Sequence, residues 1–210
     1  MNKTVLIAIA AFLILVGGMY YFTRSSEESA TVVDTSGWNT YTNTTYSYSL
    51  SYPDGLRLGY PGMAETVRIE ETDDLMIDAD LKPAIFGVTA YTVDTAHDSP
   101  AIKERNSLAT LPLKEFAEGV RQLQVNDSNS SIQDKTVGEL QEITFAGKPA
   151  YSFTLNKAFV SDSLGSGYIL TPEDTNFNFI FVENKFGQKL MVRYLVNDTA
   201  AEGIKNSFKL

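Results

Sequence analysis

Apolar and small polar residues alternate with a period of two in the region that begins at Trp38. Residues 46–52 read Tyr-Ser-Tyr-Ser-Leu-Ser-Tyr, which is the pattern of a strand with one buried face. Residues 38–41 form a shorter segment before it, and residues 53–55, Pro-Asp-Gly, favour a turn after it. The alternation places the tyrosines of this strand on one face, so we expect them to pack against a helix rather than to bind a ligand.

Further along the chain, β-branched and aromatic residues cluster in short runs bounded by turn-forming residues. These runs predict strands at residues 66–71, 85–93, 140–145, 151–155, 177–182 and 190–195. Gly147 and Lys148 predict a hairpin turn between the third and fourth of these strands. Residues 184–188, Asn-Lys-Phe-Gly-Gln, predict a second hairpin between the last two.

Two segments show helical spacing instead. Residues 112–125 carry apolar side chains on one side of a predicted helix, namely Leu113, Phe116, Val120 and Leu123. Near the end of the chain, Asn197 or Asp198 is expected to cap a helix over residues 200–208. Its inner face would carry Ala201, Ile204, Lys205 and Phe208. Hairpins with separate helices predict an α+β fold, an antiparallel β-sheet flanked by helices.

The first 24 residues are predicted to form an N-terminal membrane anchor. Residues 5–22 carry no charged side chain, and as a helix they would span about 27 Å, close to the bilayer core of about 30 Å. Lys3 before the segment, and acidic residues soon after Arg24, predict a cytoplasmic N-terminus. The alternative is a cleaved signal peptide and secretion, which the aromatic residues 20–22 disfavour because cleavage needs small residues.

Residues 25–37 are small and polar and predict a flexible tether. We therefore expect three parts: an anchor at residues 1–24 with a transmembrane helix at 5–22, the tether at 25–37, and one extracytoplasmic domain at 38–210. The bilayer is then one partner, contacted through the N-terminal helix.

Composition narrows the range of other partners. The chain has 26 acidic and 17 basic residues, a formal net charge of −9, and no cysteine. An acidic domain without a basic stripe repels phosphate backbones, so nucleic acid is excluded as an expected partner. The domain also lacks the thiols that disulfides or a Cys-based metal site would need.

Candidate catalytic chemistry is sparse. His97, the single histidine, stands between Asp94 and Asp98; together with them it could ligate a divalent cation, or it could serve as a general base for a serine. The competing interpretation, which we favour, is a polar loop after a strand. The acidic residues 73–80 lack the spacing and the central glycine of a calcium-binding loop. No catalytic residue and no cofactor are therefore predicted.

Several short motifs carry a resemblance to a known family. Residues 38–41 and 46–53, in which an aromatic start leads to a strand ending in Tyr-Pro, resemble the opening of PsbP-like domains. Residues 111–117 resemble the start of a helix in that family, and residues 190–194 and 204–208 resemble its last strand and closing helix. The resemblance implies a PsbP-like α-β-α sandwich, here placed after one transmembrane helix as in bacterial membrane-anchored members.

What the resemblance implies about function is a binding or assembly module rather than an enzyme. We expect a membrane-tethered extracytoplasmic module whose further partner is an envelope protein or polymer. Two alternatives remain open: a hydrolase that cleaves envelope polymer with two facing carboxylates, and a passive surface component.

Overall fold

Most of the described fold consists of antiparallel β-strands. The computed structural model describes residues 34–59, 65–71, 85–91, 107–126, 132–159 and 176–210. The strands are β1 (Asn39–Asn43), β2 (Tyr48–Tyr52), β3 (Leu56–Leu58), β4 (Glu65–Glu71), β5 (Phe86–Tyr91), β6 (Ile132–Val137), β7 (Gln141–Phe145), β8 (Lys148–Phe159), β9 (Asn176–Glu183) and β10 (Lys189–Leu195). A short 3-10 helix, Leu108–Thr110, precedes helix α1 (Leu113–Asn126), and helix α2 (Thr199–Ser207) follows β10.

Eight of these strands form one sheet in the order β3-β4-β5-β10-β9-β8-β6, and β7 also pairs with β8. The two short strands β6 and β7 therefore share one long neighbour. β6 pairs with the second half of β8, and β7 pairs with its first half. β1 and β2 form a separate two-stranded hairpin.

One face of the sheet packs against α1. Strand β9 places Phe177, Phe179 and Phe181 on this face, and all three are buried with Phe116 of α1. The ring of Phe116 meets that of Phe181 edge-on at a centroid distance of 5.6 Å, a geometry that aromatic pairs prefer. α1 is also bound to the loop before β7, because Arg121 donates to the carbonyl of Gly138 at 3.2 Å. Within α1, Arg121 forms an ion pair with Glu118 at 2.8 Å.

The opposite face packs against α2 and the β1–β2 hairpin. Ile180 and Val182 of β9 and Val192 of β10 point to this face and are buried with Ile204 of α2. Each face of the sheet is therefore covered by one helix and an apolar layer. This is the α+β architecture predicted from the sequence.

The end of the chain joins the hairpin to α2. Ser49 and Lys209 exchange two backbone hydrogen bonds of 3.0 and 2.8 Å. The hydroxyl of Ser207 accepts from the amide of Ser51 at 2.8 Å and donates to Ile204 at 2.7 Å. Beneath these bonds the ring of Phe208 lies 5.3 Å from that of Tyr48.

Most of the predicted elements that fall on described residues are confirmed. Helix α1 begins one residue after the predicted start. The cap of α2 is Asp198, whose carboxylate accepts from the amide of Ala201 at 2.7 Å. The hairpin between β7 and β8 is confirmed, but its turn lies one residue earlier than the predicted Gly147 and Lys148: it consists of Ala146 and Gly147, both with positive φ, as a two-residue hairpin of this kind requires, and Lys148 is the first residue of β8.

Two strands, β3 and β6, were not predicted from the sequence. The packing of the tyrosines is confirmed: Tyr48 is buried, and Tyr46 and Tyr52 are partly buried against the same apolar cluster. Trp38 packs there too.

The predicted anchor at residues 5–22 lies outside the described residues. Neither α1 nor α2, nor any other described helix, combines the length and apolar character needed to cross a bilayer. The division into anchor, tether and domain therefore stays a prediction.

Candidate functional site

The face of the sheet under α2 changes from apolar to polar along strand β9. Ile180 and Val182 lie beneath α2 and the hairpin and are buried. The two preceding residues on the same face are Asn178 and Asn176, which are half-buried. Since alternate residues of a strand share a face, these asparagines continue the surface of the sheet beyond its apolar core.

Neighbouring strands extend this polar surface. In the register of the sheet, Asn178 is opposite Thr154 of β8 and Tyr194 of β10. Asn176 is opposite Asn156, which in turn is opposite Thr136 of β6. Directly opposed residues present their side chains on the same face. We call this set the polar ledge: Thr136, Thr154, Asn156, Asn176, Asn178 and Tyr194.

Exposure grows toward the β6 edge. Tyr194 is buried, Asn176 and Asn178 are half-buried, and the side chains of Thr136, Thr154 and Asn156 are exposed. The ledge is therefore anchored in the core at one end and open to solvent at the other.

A hydrogen bond fixes the amide of Asn178. Its Nδ2 donates to the phenolic oxygen of Tyr194 at 2.9 Å, so its Oδ1 points away from that phenol. The Oδ1 atoms of Asn176 and Asn178 are both buried, and within the described part of the chain neither has a hydrogen-bond partner. A buried acceptor left unpaired costs about 1–3 kcal/mol of stability. These two oxygens therefore lower the stability of the folded domain in this state.

Helix α2 forms a charged wall beside the ledge. Lys205 and Glu202 form an ion pair one turn apart, and the Lys205 ammonium lies 5.3 Å from the centroid of the Tyr194 ring. The charges of the pair offset each other, so the ledge is bordered by a donor and an acceptor rather than by a net charge.

The protonation states at this wall suit binding. Burial raises the pKa of Tyr194, and although the Lys205 ammonium lowers it, the net pKa lies above the ordinary value. Burial is the largest single influence on Lys205 and lowers its pKa, but the hydrogen bonds and charge interactions with Glu202 and Tyr194 together outweigh burial, and the pKa is raised. At neutral pH the phenol and the ammonium therefore keep their protons, and both act as fixed hydrogen-bonding groups.

The metal candidates named from the sequence cannot be placed beside this ledge. His97, Asp94 and Asp98 lie outside the described residues, and so does the acidic segment 73–80. In the described stretches, the side chains of His, Asp and Glu do not gather in groups of three or more that could hold a metal ion. The candidate metal site stays a prediction.

The ledge was not predicted from the sequence. The phenylalanines predicted the strand at residues 177–182, but no role was predicted for Asn176 and Asn178. The sequence feature that could have indicated the ledge is the spacing of these two asparagines. They stand two residues apart, on the same face of the strand as Ile180 and Val182, which follow at the same spacing. Their partners on β8 and β10 follow from strand register, which a single strand pattern does not reveal.

Comparisons with known proteins give a likeness of fold among solved structures. No protein-family model matches the chain, and it has no match among curated proteins. Among solved structures, the chain is similar to the solution structure of cyanobacterial PsbP (CyanoP) from Synechocystis sp. PCC 6803, with a TM-score of 0.47 and 12% sequence identity. The match covers 86% of this chain and 95% of that chain.

Proposed function

We propose that this chain is a binding or assembly module and that the polar ledge is its binding surface. The observation that carries the proposal is the row of hydrogen-bonding side chains on one face of the sheet, which is exposed at Thr136, Thr154 and Asn156. An exposed row of hydroxyl and amide groups offers a partner both hydrogen-bond donors and acceptors.

The scaffold supports this role. The ledge stands on β6, β8, β9 and β10 and beside α2, so its groups are held by regular structure rather than by loops. Groups held on rigid elements lose little conformational freedom when a partner binds, which favours affinity.

We further propose that the module is displayed outside the cytoplasm. The support comes from the sequence: an uncharged apolar segment at residues 5–22, a polar tether at 25–37, and the balance of charges around the segment. In this arrangement the domain lies outside the cytoplasm, and its partner is an envelope protein or polymer.

The proposal is tested with the full chain held in detergent micelles and immobilised on beads. Envelope material is passed over wild type, over a ledge variant carrying Asn156→Ala and Thr154→Ala, which are both exposed, and over a control variant carrying Asn206→Ala and Thr144→Ala. Asn206 is an exposed residue of α2, and Thr144 is an exposed strand residue on the opposite face of the sheet. The control therefore removes one amide and one hydroxyl of the same kinds.

We expect the ledge variant to retain about tenfold less of the bound component, which corresponds to about 1.4 kcal/mol, while the control retains as much as wild type. Equal retention by all three proteins would contradict the proposed surface. Cleavage of envelope polymer by the bound chain would indicate the hydrolase, and no retention by wild type would indicate a passive surface component.

A further inference from the structure

We propose that two copies of this chain pair along their β1 strands, so that β1 is a dimerisation edge. This surface lies on the β1–β2 hairpin, apart from the strands of the polar ledge, and its role does not depend on the binding function proposed above. Three features support it: the backbone groups that β1 presents, its uncharged sequence, and the symmetry of that sequence.

The end of the chain determines which backbone groups of β2 bond to β1. Ser49 exchanges two backbone hydrogen bonds with Lys209, and the amide of Ser51 donates to the hydroxyl of Ser207. Successive residues of an antiparallel strand direct their N–H and C=O groups to opposite sides. The intervening residues of β2, at positions 48, 50 and 52, therefore bond to β1, where the register places them opposite Asn43, Tyr41 and Asn39.

Thr40 and Thr42 consequently present their backbone groups at the outer edge of β1. Each lies next to residues that bond to β2, so its own N–H and C=O point away from β2. Among the described strands, β1 pairs with β2 alone. The edge therefore offers two donors and two acceptors to a further strand.

β1 differs from the other edge strands of the described fold. Natural edge strands resist pairing with another chain when they are short, charged, interrupted by a bulge or contain proline. β3 has three residues and includes Arg57, β7 includes Glu142, and β6 includes Lys135 and a break in its register. β1 has five residues without charge or proline, and its register with β2 is continuous.

The sequence of β1, Asn-Thr-Tyr-Thr-Asn, reads the same in both directions and suits pairing with a second copy. A twofold dimer uses the same surface on both copies. With the axis at Tyr41, Thr40 of each copy lies opposite Thr42 of the other, and these are the residues whose backbone groups point outward. Each pair exchanges two hydrogen bonds, so four bonds join the copies into one sheet in the order β2-β1-β1-β2.

The side chains agree with this register. Tyr41 is partly buried against the apolar cluster, so the alternate residues Thr40 and Thr42 lie on the other face of the hairpin, where both are exposed. Opposed threonines are a favourable cross-strand pair. Because both side chains are exposed, they can be substituted without disturbing the core.

Cysteine pairs test the register in the full chain held in detergent micelles. The chain has no cysteine, so Thr40→Cys and Thr42→Cys each introduce a single thiol, and the two proteins are oxidised separately and as a mixture. Residues of a hydrogen-bonded pair lie about 5.5 Å apart between Cα atoms, within the range of a disulfide. Identical positions of the two copies are diagonal neighbours and lie farther apart.

We expect disulfide-linked dimers from the mixture. Each variant alone should crosslink no faster than Thr144→Cys, whose thiol at an exposed position of β7 reports random collision. Equal rates in all samples, or faster linkage within one variant than in the mixture, overturns the inference. Pairing of the edge with a strand of another protein would also leave the mixture without a dimer.

Sedimentation equilibrium in density-matched detergent measures the association itself. Wild type should show the mass of two chains at high concentration and of one chain on dilution. Thr40→Lys with Thr42→Lys places lysine opposite lysine in both pairs and should weaken self-association about tenfold. Gln141→Lys with Thr144→Lys adds the same charge at exposed positions of β7 and should associate as wild type does.

A wild type that stays monomeric at every concentration, or equal association by the two lysine variants, overturns the inference. The ledge variant carrying Asn156→Ala and Thr154→Ala should also associate as wild type does. Loss of partner retention and loss of self-association can therefore be observed separately, and either proposal can fail without the other.

Discussion

At the scale of single residues, the phenol of Tyr194 links the core to the ledge. Its ring is buried in the cluster under α2, while its oxygen accepts from Asn178 and stands near Lys205 and Glu202. One side chain therefore contributes both to packing and to the orientation of a candidate binding group.

This position predicts the order in which tyrosines ionise. Because burial raises the pKa of Tyr194, we expect its phenol to be among the last of the 11 tyrosines to ionise in an alkaline titration followed by ultraviolet absorbance. Tyr194→Phe should remove amplitude from the late part of the curve. Loss of amplitude from the early part would contradict the buried, protonated phenol.

The same shift sets a direction for stability. A raised pKa in the folded state stabilises the protein fully below the unfolded value of about 10 and loses that contribution as the pH rises through the folded value. The advantage of wild type over Tyr194→Phe should therefore be constant at neutral pH and shrink above about pH 10.

The roles of individual polar residues were the hardest feature to predict from the sequence. The phenylalanines of β9 stood out because large apolar side chains at a period of two are a strong signal. Asn176 and Asn178 did not, since asparagine is common in turns and the run could equally have been a loop before the strand. Their role depends on which residues of β8 and β10 lie opposite, and that is fixed by long-range pairing.

At the scale of elements, the closing residues of the chain stabilise the β1–β2 hairpin. The hairpin is a two-stranded sheet of its own, and an isolated pair of strands is only marginally stable in water. Backbone bonds between Ser49 and Lys209, and the packing of Phe208 on Tyr48 and Phe145, attach it to the rest of the domain.

Phe208→Ala tests this attachment. Phe208 is buried, at 4% exposure, so we expect the substitution to lower the free energy of unfolding by about 3–5 kcal/mol. The matched control is Phe186→Ala at the tip of the β9–β10 hairpin, where the ring is 62% exposed and the change should be within about 0.5 kcal/mol. Chemical denaturation measures both, and equal effects would refute the proposed attachment.

Elements differed in how well the sequence predicted them. Helices α1 and α2 and strands β9 and β10 have regular apolar spacing and were predicted within about one or two residues. Strand β6, Ile-Gln-Asp-Lys-Thr-Val, has apolar residues only at its ends and pairs along one side, with β8. An edge strand needs no alternating core face, and its sequence therefore carried no strand signal.

At the scale of the whole molecule, a single sheet separates two apolar layers, and the ledge lies where one of these layers ends. The antiparallel sheet flanked by helices followed from the order of the elements, because hairpins require antiparallel neighbours. The position of the ledge could not be predicted in that way, since it depends on how far α2 and the hairpin cover their face.

The central claim is that the ledge, rather than the opposite face, meets a partner in the cell envelope. Its most direct test is photo-crosslinking in living cells with p-benzoylphenylalanine placed at the exposed ledge position Asn156 and, as a control, at Thr144 on the opposite face. We predict that Asn156→p-benzoylphenylalanine gives a crosslinked envelope component and that Thr144→p-benzoylphenylalanine does not. Crosslinking from position 144 alone, or from neither position, would contradict the account.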